Sequence, residues 1–114
     1  MIPIEINGAV TRVYVDSGAW ISVFSSEGAQ ELLQNDYRKG AIGSIVVGDG
    51  TIIPVFFHVV PIKIGHILFK ARIGVSPRLK IGFNLLGRKD IFDRFKVLFD
   101  ERHHTVSFIP YRNK

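Results

Sequence analysis

A carboxylate, a hydroxyl and a glycine follow one another at Asp16-Ser17-Gly18, with the small Ala19 behind them. An apolar run, Val10 to Val15, reads as a strand leading into this triplet, and a second short strand candidate, Ala19 to Phe24, leads out. A carboxylate at the end of a strand can close an ordinary Asx turn on its own backbone. It can also serve as a general acid or base toward a bound reactant. Average residue usage gives a D-[ST]-G-A string by chance in roughly one chain in a few hundred of this length, so the string needs its context. Other reactive combinations fail. Ser17 lacks the Gly-x-Ser-x-Gly elbow of a serine nucleophile. His58, His66, His103 and His104 lack zinc-ligand spacing, and without cysteine there is no thiolate to join them. No metal site and no cofactor is expected, and His103-His104 reads as a solvated turn.

The elements that must position Asp16 read as short strands. Ile2 to Ile6 alternates apolar and other residues, as a half-buried strand does. Asn7-Gly8 then marks a tight hairpin, because both residues tolerate positive φ. Ser25-Ser26 is expected to cap a brief helix reaching about Gln34, which Gly28 weakens. Asn35 to Gly40 reads as a polar loop. Ile42–Val47 and Thr51–Pro61 are β-rich runs joined across Gly48-Asp49-Gly50, and Gly65-His66 joins Val59–Ile64 to Ile67–Val75. Ser76 to Lys80 is a loop, and Gly82 to Gly87 a buried strand. Arg88 to Phe95 predicts a short helix, with Ile91, Phe92 and Phe95 on one face. Lys96–Asp100 and Thr105–Tyr111 close the chain as a hairpin around Arg102-His103-His104. The fold class is all-β with one or two short helices, in a meander typical of a sandwich or barrel.

Composition bounds the rest. The 114 residues fit one domain spanning residues 1–114, with a modest core. Hydrophobic residues are 46% of the chain, enough that a partner chain is expected to cover part of them. The net charge is +5, yet the basic residues are scattered rather than interleaved with aromatics, so no nucleic-acid partner is expected. No apolar run reaches the ~18 residues of a membrane span and no signal-peptide pattern opens the chain, which gives no membrane partner and a cytoplasmic expectation.

A second word, Leu85-Leu86-Gly87-Arg88, is an apolar-apolar-Gly step before the closing segments. The ordered set of Asn7-Gly8, Asp16-Ser17-Gly18-Ala19, Gly48-Asp49-Gly50 and Leu85-Leu86-Gly87-Arg88 resembles the retropepsin-like aspartic proteases, the domain type of retroviral proteases and their cellular and prokaryotic relatives. The resemblance covers nearly the whole chain. It implies a closed β-barrel of the acid-protease type and an endopeptidase in which Asp16 is half of a catalytic carboxylate pair. Two carboxyl groups a few ångströms apart cannot both ionise, so they share a proton and can polarise a water between them. Ser17 would bond across to the partner loop. Gly18 would let backbone approach the carboxylates, and Ala19 would leave the cleft floor open. Gly48, Asp49 and Gly50 would form the tip of a flap over an extended peptide.

Only one Asp-Ser-Gly word is present, so the resemblance implies a homodimer with Asp16 supplied twice about a two-fold axis. Retroviral members have an extra N-terminal interface strand, whereas 15 residues precede Asp16 here. The expectation is that the C-terminal hairpin, Lys96–Tyr111, pairs across the axis instead. Trp20 stands where retroviral members carry an aspartate that pairs with the arginine corresponding to Arg88. Arg88 would then stack on Trp20 or find another acid, and both are candidate substrate-cleft residues. A catalytically silent dimerisation or peptide-binding module of the same fold is the alternative.

Overall fold

The computed structural model describes residues 1–79 and 84–111. Strands β1 (Ile2–Ile6) and β2 (Ala9–Val15) form the first hairpin, with Asn7 at φ 53° and Gly8 at φ 82° in its turn. After the Asp16 loop come β3 (Ser22–Ser25), helix α1 (Ala29–Leu33) and a 3-10 turn at Tyr37–Lys39. Then follow β4 (Ala41–Val46), the long β5 (Ile52–Ile64), β6 (Ile67–Ser76) and the short β7 (Asn84–Leu86). Strands β8 (Phe95–Asp100) and β9 (Thr105–Pro110) make a separate two-stranded sheet.

The main sheet runs β1-β2-β7-β3-β6-β5-β4, and β1 also pairs with β5 through Glu5↔Lys63 and Ile6↔Ile62. That extra pairing closes six strands into a barrel and leaves β4 outside it, as the outer arm of a hairpin with β5. Closure removes the strand edges that would otherwise seek another chain. The barrel interior is built from alternate positions: Ile4 and Ile6 of β1, Val60, Ile62 and Ile64 of β5, and Phe69, Ala71, Ile73 and Val75 of β6. Val13, Phe24 and Leu86 complete it from the strands that flank the Asp16 loop.

Three local expectations are corrected. The helix after Ser25-Ser26 starts later, at Ala29, and its N-cap is Gly28 at φ 75° with no side-chain cap. The Ser25 hydroxyl instead accepts from the Glu27 amide, closing a turn before the helix. Ala19–Ile21 is loop rather than strand, and the Ala19 and Trp20 carbonyls are taken by the amides of residues 88 and 89. Arg88–Phe95 is no helix but a chain of turns. The Arg88 carbonyl accepts from Ile91 and Phe92, that of Ile91 from Arg94 and Phe95, and Asp90 between them is at φ 66°. A helix cannot pass through that left-handed residue. The Asp90 carboxylate is held there by the Arg72 amide at 2.9 Å. The apolar spacing was nonetheless informative about burial, since Ile91 and Phe95 lie in the core. Lys80, Gly82 and Phe83, placed above in a loop and a strand, lie outside the described residues.

Candidate active site

Strand β2 runs parallel to β7, pairing Val13↔Asn84, Tyr14↔Leu85 and Val15↔Leu86. The ladder continues one step further, with the Asp16 amide donating to the Leu86 carbonyl at 2.9 Å. Asp16 is thus fixed at the point where β2 leaves the barrel. The loop then turns on itself: Gly18 N–H donates to Asp16 Oδ1 at 2.9 Å and Ala19 N–H to the Asp16 carbonyl at 3.1 Å. The Asx turn therefore exists, and it engages one carboxylate oxygen. Among the described residues Oδ2 has no hydrogen-bond partner, which leaves it available to a ligand. Ser17 and Gly18 are exposed, while Asp16 and Ala19 are half-buried.

The second sequence word is the wall that holds the first. Arg88 N–H donates to the Ala19 carbonyl at 2.9 Å and Lys89 N–H to the Trp20 carbonyl at 2.8 Å. Gly87 N–H donates at 2.9 Å to the hydroxyl of Ser22, a fully buried side chain. A Cβ on Gly87 would stand 2.6 Å from the Ile21 carbonyl carbon and oxygen, so only glycine permits this approach. Arg88 reaches back to the Ser17 carbonyl at 3.3 Å and stacks over the Phe92 ring at 4.9 Å from its centroid. The expected stacking on Trp20 is replaced by Phe92, which the turns after Gly87 bring under the guanidinium.

Opposite the loop, β4 and β5 extend as a hairpin whose tip is Gly48-Asp49-Gly50. The Asp49 carboxylate accepts from the Thr51 amide at 2.9 Å, and hydrogen bonding to Thr51, its side chain first and its amide second, holds the pKa below the usual carboxylate range. Gly50 takes φ 88°. At the hairpin's base a Cβ on Gly43 would meet the edge of the Phe57 ring, so the ring points edge-on at β4. His58 binds the Tyr37 carbonyl at 2.6 Å and ties the 3-10 turn to the same base.

Two recesses, about 480 and 670 Å³, share Asp16, Val47, Gly48, Leu79 and Leu85 and form one cleft between loop and hairpin. The first extends past Ala19 and Trp20 to Val23 and Ile45; the second extends past Asp49 and Ile53 to Arg78. The structure therefore brings Asp16, Gly18, Ala19, Trp20, Gly48 and Asp49 to one cleft. Arg88 supports the loop from behind and lines a separate shallow depression with Trp20 and Phe92. Sequence reading missed Ser22, Arg78 and Leu79. A serine within the apolar run 21–24 was the available sign for Ser22; nothing local marked the other two.

Among the described residues no cluster of His, Asp or Glu could hold a metal ion, and no helix is long and apolar enough to cross a membrane. Three other aspartates are engaged elsewhere: Asp36 with Arg38, Asp90 with the Arg72 amide and Asp100 with His103. A closed six-stranded barrel with one Asp-Ser-Gly loop facing a β-hairpin is the architecture of a retropepsin-type acid protease.

A sequence profile of the aspartyl protease family matches residues 2–89, and the chain belongs to that family. Among solved structures, the EIAV protease complexed with the inhibitor HBY-793 is similar at 27% identity and TM-score 0.63, over 81% of this chain and 84% of that one. A retropepsin-like aspartic protease from Rickettsia conorii has 23% identity and TM-score 0.63, over 88% of this chain and 73% of that one. The retroviral protease-like domain of Ddi1 from Leishmania major has 21% identity and TM-score 0.63, over 96% and 92%. Among curated proteins none matches the chain significantly.

Proposed function

We propose that residues 1–114 form one domain and one protomer of a homodimeric aspartic endopeptidase, with the carboxylates of two Asp16 residues meeting at the axis. The observation that carries this reading is Asp16 itself, fixed by Leu86 and Gly18 at the floor of a cleft, with Oδ2 available. In the pair, the ionised carboxylate takes a proton from the bound water as its oxygen attacks the peptide carbonyl carbon. The protonated carboxyl gives its proton to the carbonyl oxygen. The tetrahedral diol then collapses: one hydroxyl returns its proton to the second carboxylate, the C–N bond breaks, and the leaving nitrogen takes up the proton the first carboxylate accepted. Products are a carboxylic acid and an amine. Because the pair titrates as a unit, the rate falls when both carboxyls are protonated and when both are ionised. The hairpin carrying Gly48-Asp49-Gly50 would close over an extended substrate and exclude water.

The C-terminal hairpin supports the dimer. Its inner face packs Phe95, Val97 and Phe108 on the core, while Leu98 and Ile109 share the outer face with Lys96 and Ser107. Leu98 is 49% exposed and Ile109 46%. Two exposed apolar residues on a two-stranded sheet with open edges suit pairing with a second copy. A second reading is a silent peptide-binding module of the same fold. In that reading Trp20, exposed on the cleft, serves peptide contact.

Cleavage of an unbiased peptide library over acidic to neutral pH, with wild type, Asp16→Ala and Asp16→Asn, tests the proposal, alongside sedimentation to read the oligomer. Loss of cleavage in both variants with the dimer retained is expected. A folded, dimeric wild type that cleaves nothing would favour the silent module, and activity persisting in Asp16→Ala would remove Asp16 from the chemistry.

A further inference from the structure

Arg78 lies on the wall of the cleft that faces the hairpin tip. Its backbone is fixed: Arg78 N–H donates to the Ser76 hydroxyl at 3.1 Å, and that hydroxyl donates to the Pro54 carbonyl at 2.6 Å. Ser76 is fully buried, so the arginine springs from a rigid point rather than from a free loop. Four other arginines have their guanidinium groups engaged: Arg38 by Asp36, Arg72 by Phe57, Arg88 by Phe92 and Ser17, and Arg94 by Phe69. The Arg78 guanidinium, among the described residues, has neither an ion pair nor a hydrogen bond.

The two carboxylates on the same recess already have donors, Thr51 N–H for Asp49 and Gly18 N–H for Asp16. A guanidinium is an always-charged fork of donors that matches a carboxylate in two-point geometry. The whole chain is also cationic, at +5, so its field draws anionic ligands toward the cleft.

We infer that the cleft selects peptides bearing an acidic side chain, which Arg78 holds on the hairpin-facing wall while apolar neighbours fill the recess beside Trp20, Val23 and Ile45. This rests on the reading of the cleft as a peptide site, not on its catalysis. A two-fold assembly would present Arg78 twice, once on each side of the scissile bond. Acidic preference would then recur at symmetric positions.

The test is a short-peptide library with a fixed apolar centre and varied flanks, read both as cleavage by active protein and as binding to Asp16→Asn. The same two readouts are taken with Arg78→Ala and Arg78→Glu. Arg78 is exposed, so the expected acidic preference is about fivefold, equivalent to ~1 kcal/mol. It should vanish in Arg78→Ala, turn toward basic side chains in Arg78→Glu, and weaken as salt rises from roughly 0.1 to 0.5 M. Acidic preference in binding without any cleavage would count against the protease reading and uphold this one. Cleavage with no acidic preference, or a preference unchanged in Arg78→Glu, would overturn it while leaving proteolysis intact. Equal loss of the preference in Asp49→Asn would overturn it too, by making Arg78 a latch for the hairpin tip. Failure to bind any peptide would overturn it as well.

Discussion

Substituting Gly87 by alanine should damage the site more than any other single methyl group added to a glycine of the cleft. The added Cβ would lie 2.6 Å from the carbonyl carbon and oxygen of Ile21 and 2.9 Å from the Ala19 oxygen. All three obstacles are backbone, so no rotamer change can relieve the contact. Segments 19–21 and 87–89 would have to separate. The seam between them carries three hydrogen bonds, from Gly87 to Ser22, Arg88 to Ala19 and Lys89 to Trp20. Each contributes about 1 kcal/mol, and overpacking of this kind costs about 1–3 kcal/mol. These terms are alternative routes to relief rather than a sum, which gives a loss of about 1–3 kcal/mol. For a chain of this size that is a fall in Tm of roughly 5–15 °C.

The internal control is Gly43→Ala. Its Cβ would also stand 2.4 Å from an atom, but that atom is the edge of the Phe57 ring. Displacing a ring from its rotamer costs about 0.5–1.5 kcal/mol. Urea unfolding of both variants followed by circular dichroism, at one protomer concentration because dimerisation contributes to stability, gives the comparison. Gly87→Ala should be the less stable by about 1 kcal/mol, with cleavage or peptide binding lost under conditions where the protein is still folded. A Gly87→Ala protein as stable as Gly43→Ala would refute the argument that the Leu85–Arg88 segment holds the Asp16 loop by close backbone approach.

Two other outcomes follow from the same geometry. The Asp49 carboxyl is held below the ordinary range by the Thr51 side chain and, second, by the Thr51 amide, so its bonding within the hairpin tip is present above the unfolded-state pKa and is lost as pH falls through the lower, folded-state value; the Thr51 amide NMR shift should titrate with a midpoint below that of a free aspartate, and a midpoint at or above it would contradict the bonding. Replacing Leu98 and Ile109 together by lysine removes about 2–4 kcal/mol of apolar burial from the proposed interface, raising the dimer dissociation constant by about 30- to 700-fold in sedimentation while the protomer's Phe95–Phe108 packing persists; an unchanged dissociation constant would place the dimer interface elsewhere.

The local turns of this chain are written in its residues. Asn7-Gly8, Gly50 and Gly65 all take positive φ where the sequence expects tight turns, because glycine and asparagine bear that conformation with little cost. The apolar alternation of Ile2–Ile6 and of Val60–Ile64 correctly marks the faces turned to the core. Periodicity fails at Arg88–Phe95 for a definite reason. It reports which side chains are buried, and Ile91 and Phe95 are, but Asp90 leaves the helical region to take the Arg72 amide.

The Asp16 word and the Leu85–Arg88 word that holds it were both legible, as was the hairpin that faces them. Their mutual contact was not. Ser17 and Arg88 are 71 residues apart, and only the parallel pairing of β2 with β7 and the crossing of β3 bring those segments together. Trp20 and Arg88 show the same limit: the sequence offered an aromatic for the guanidinium, and the fold supplied Phe92. Arg78 and Leu79 reached the cleft through β6 and its buried Ser76 anchor, with no local signal. By itself, then, the sequence determined the turns, the strand faces and the turn that carries the candidate carboxylate, because those are set by φ preferences and spacing within a few residues. Tertiary structure alone decided what surrounds that carboxylate, because a cleft is made of segments whose closeness depends on long-range strand pairing.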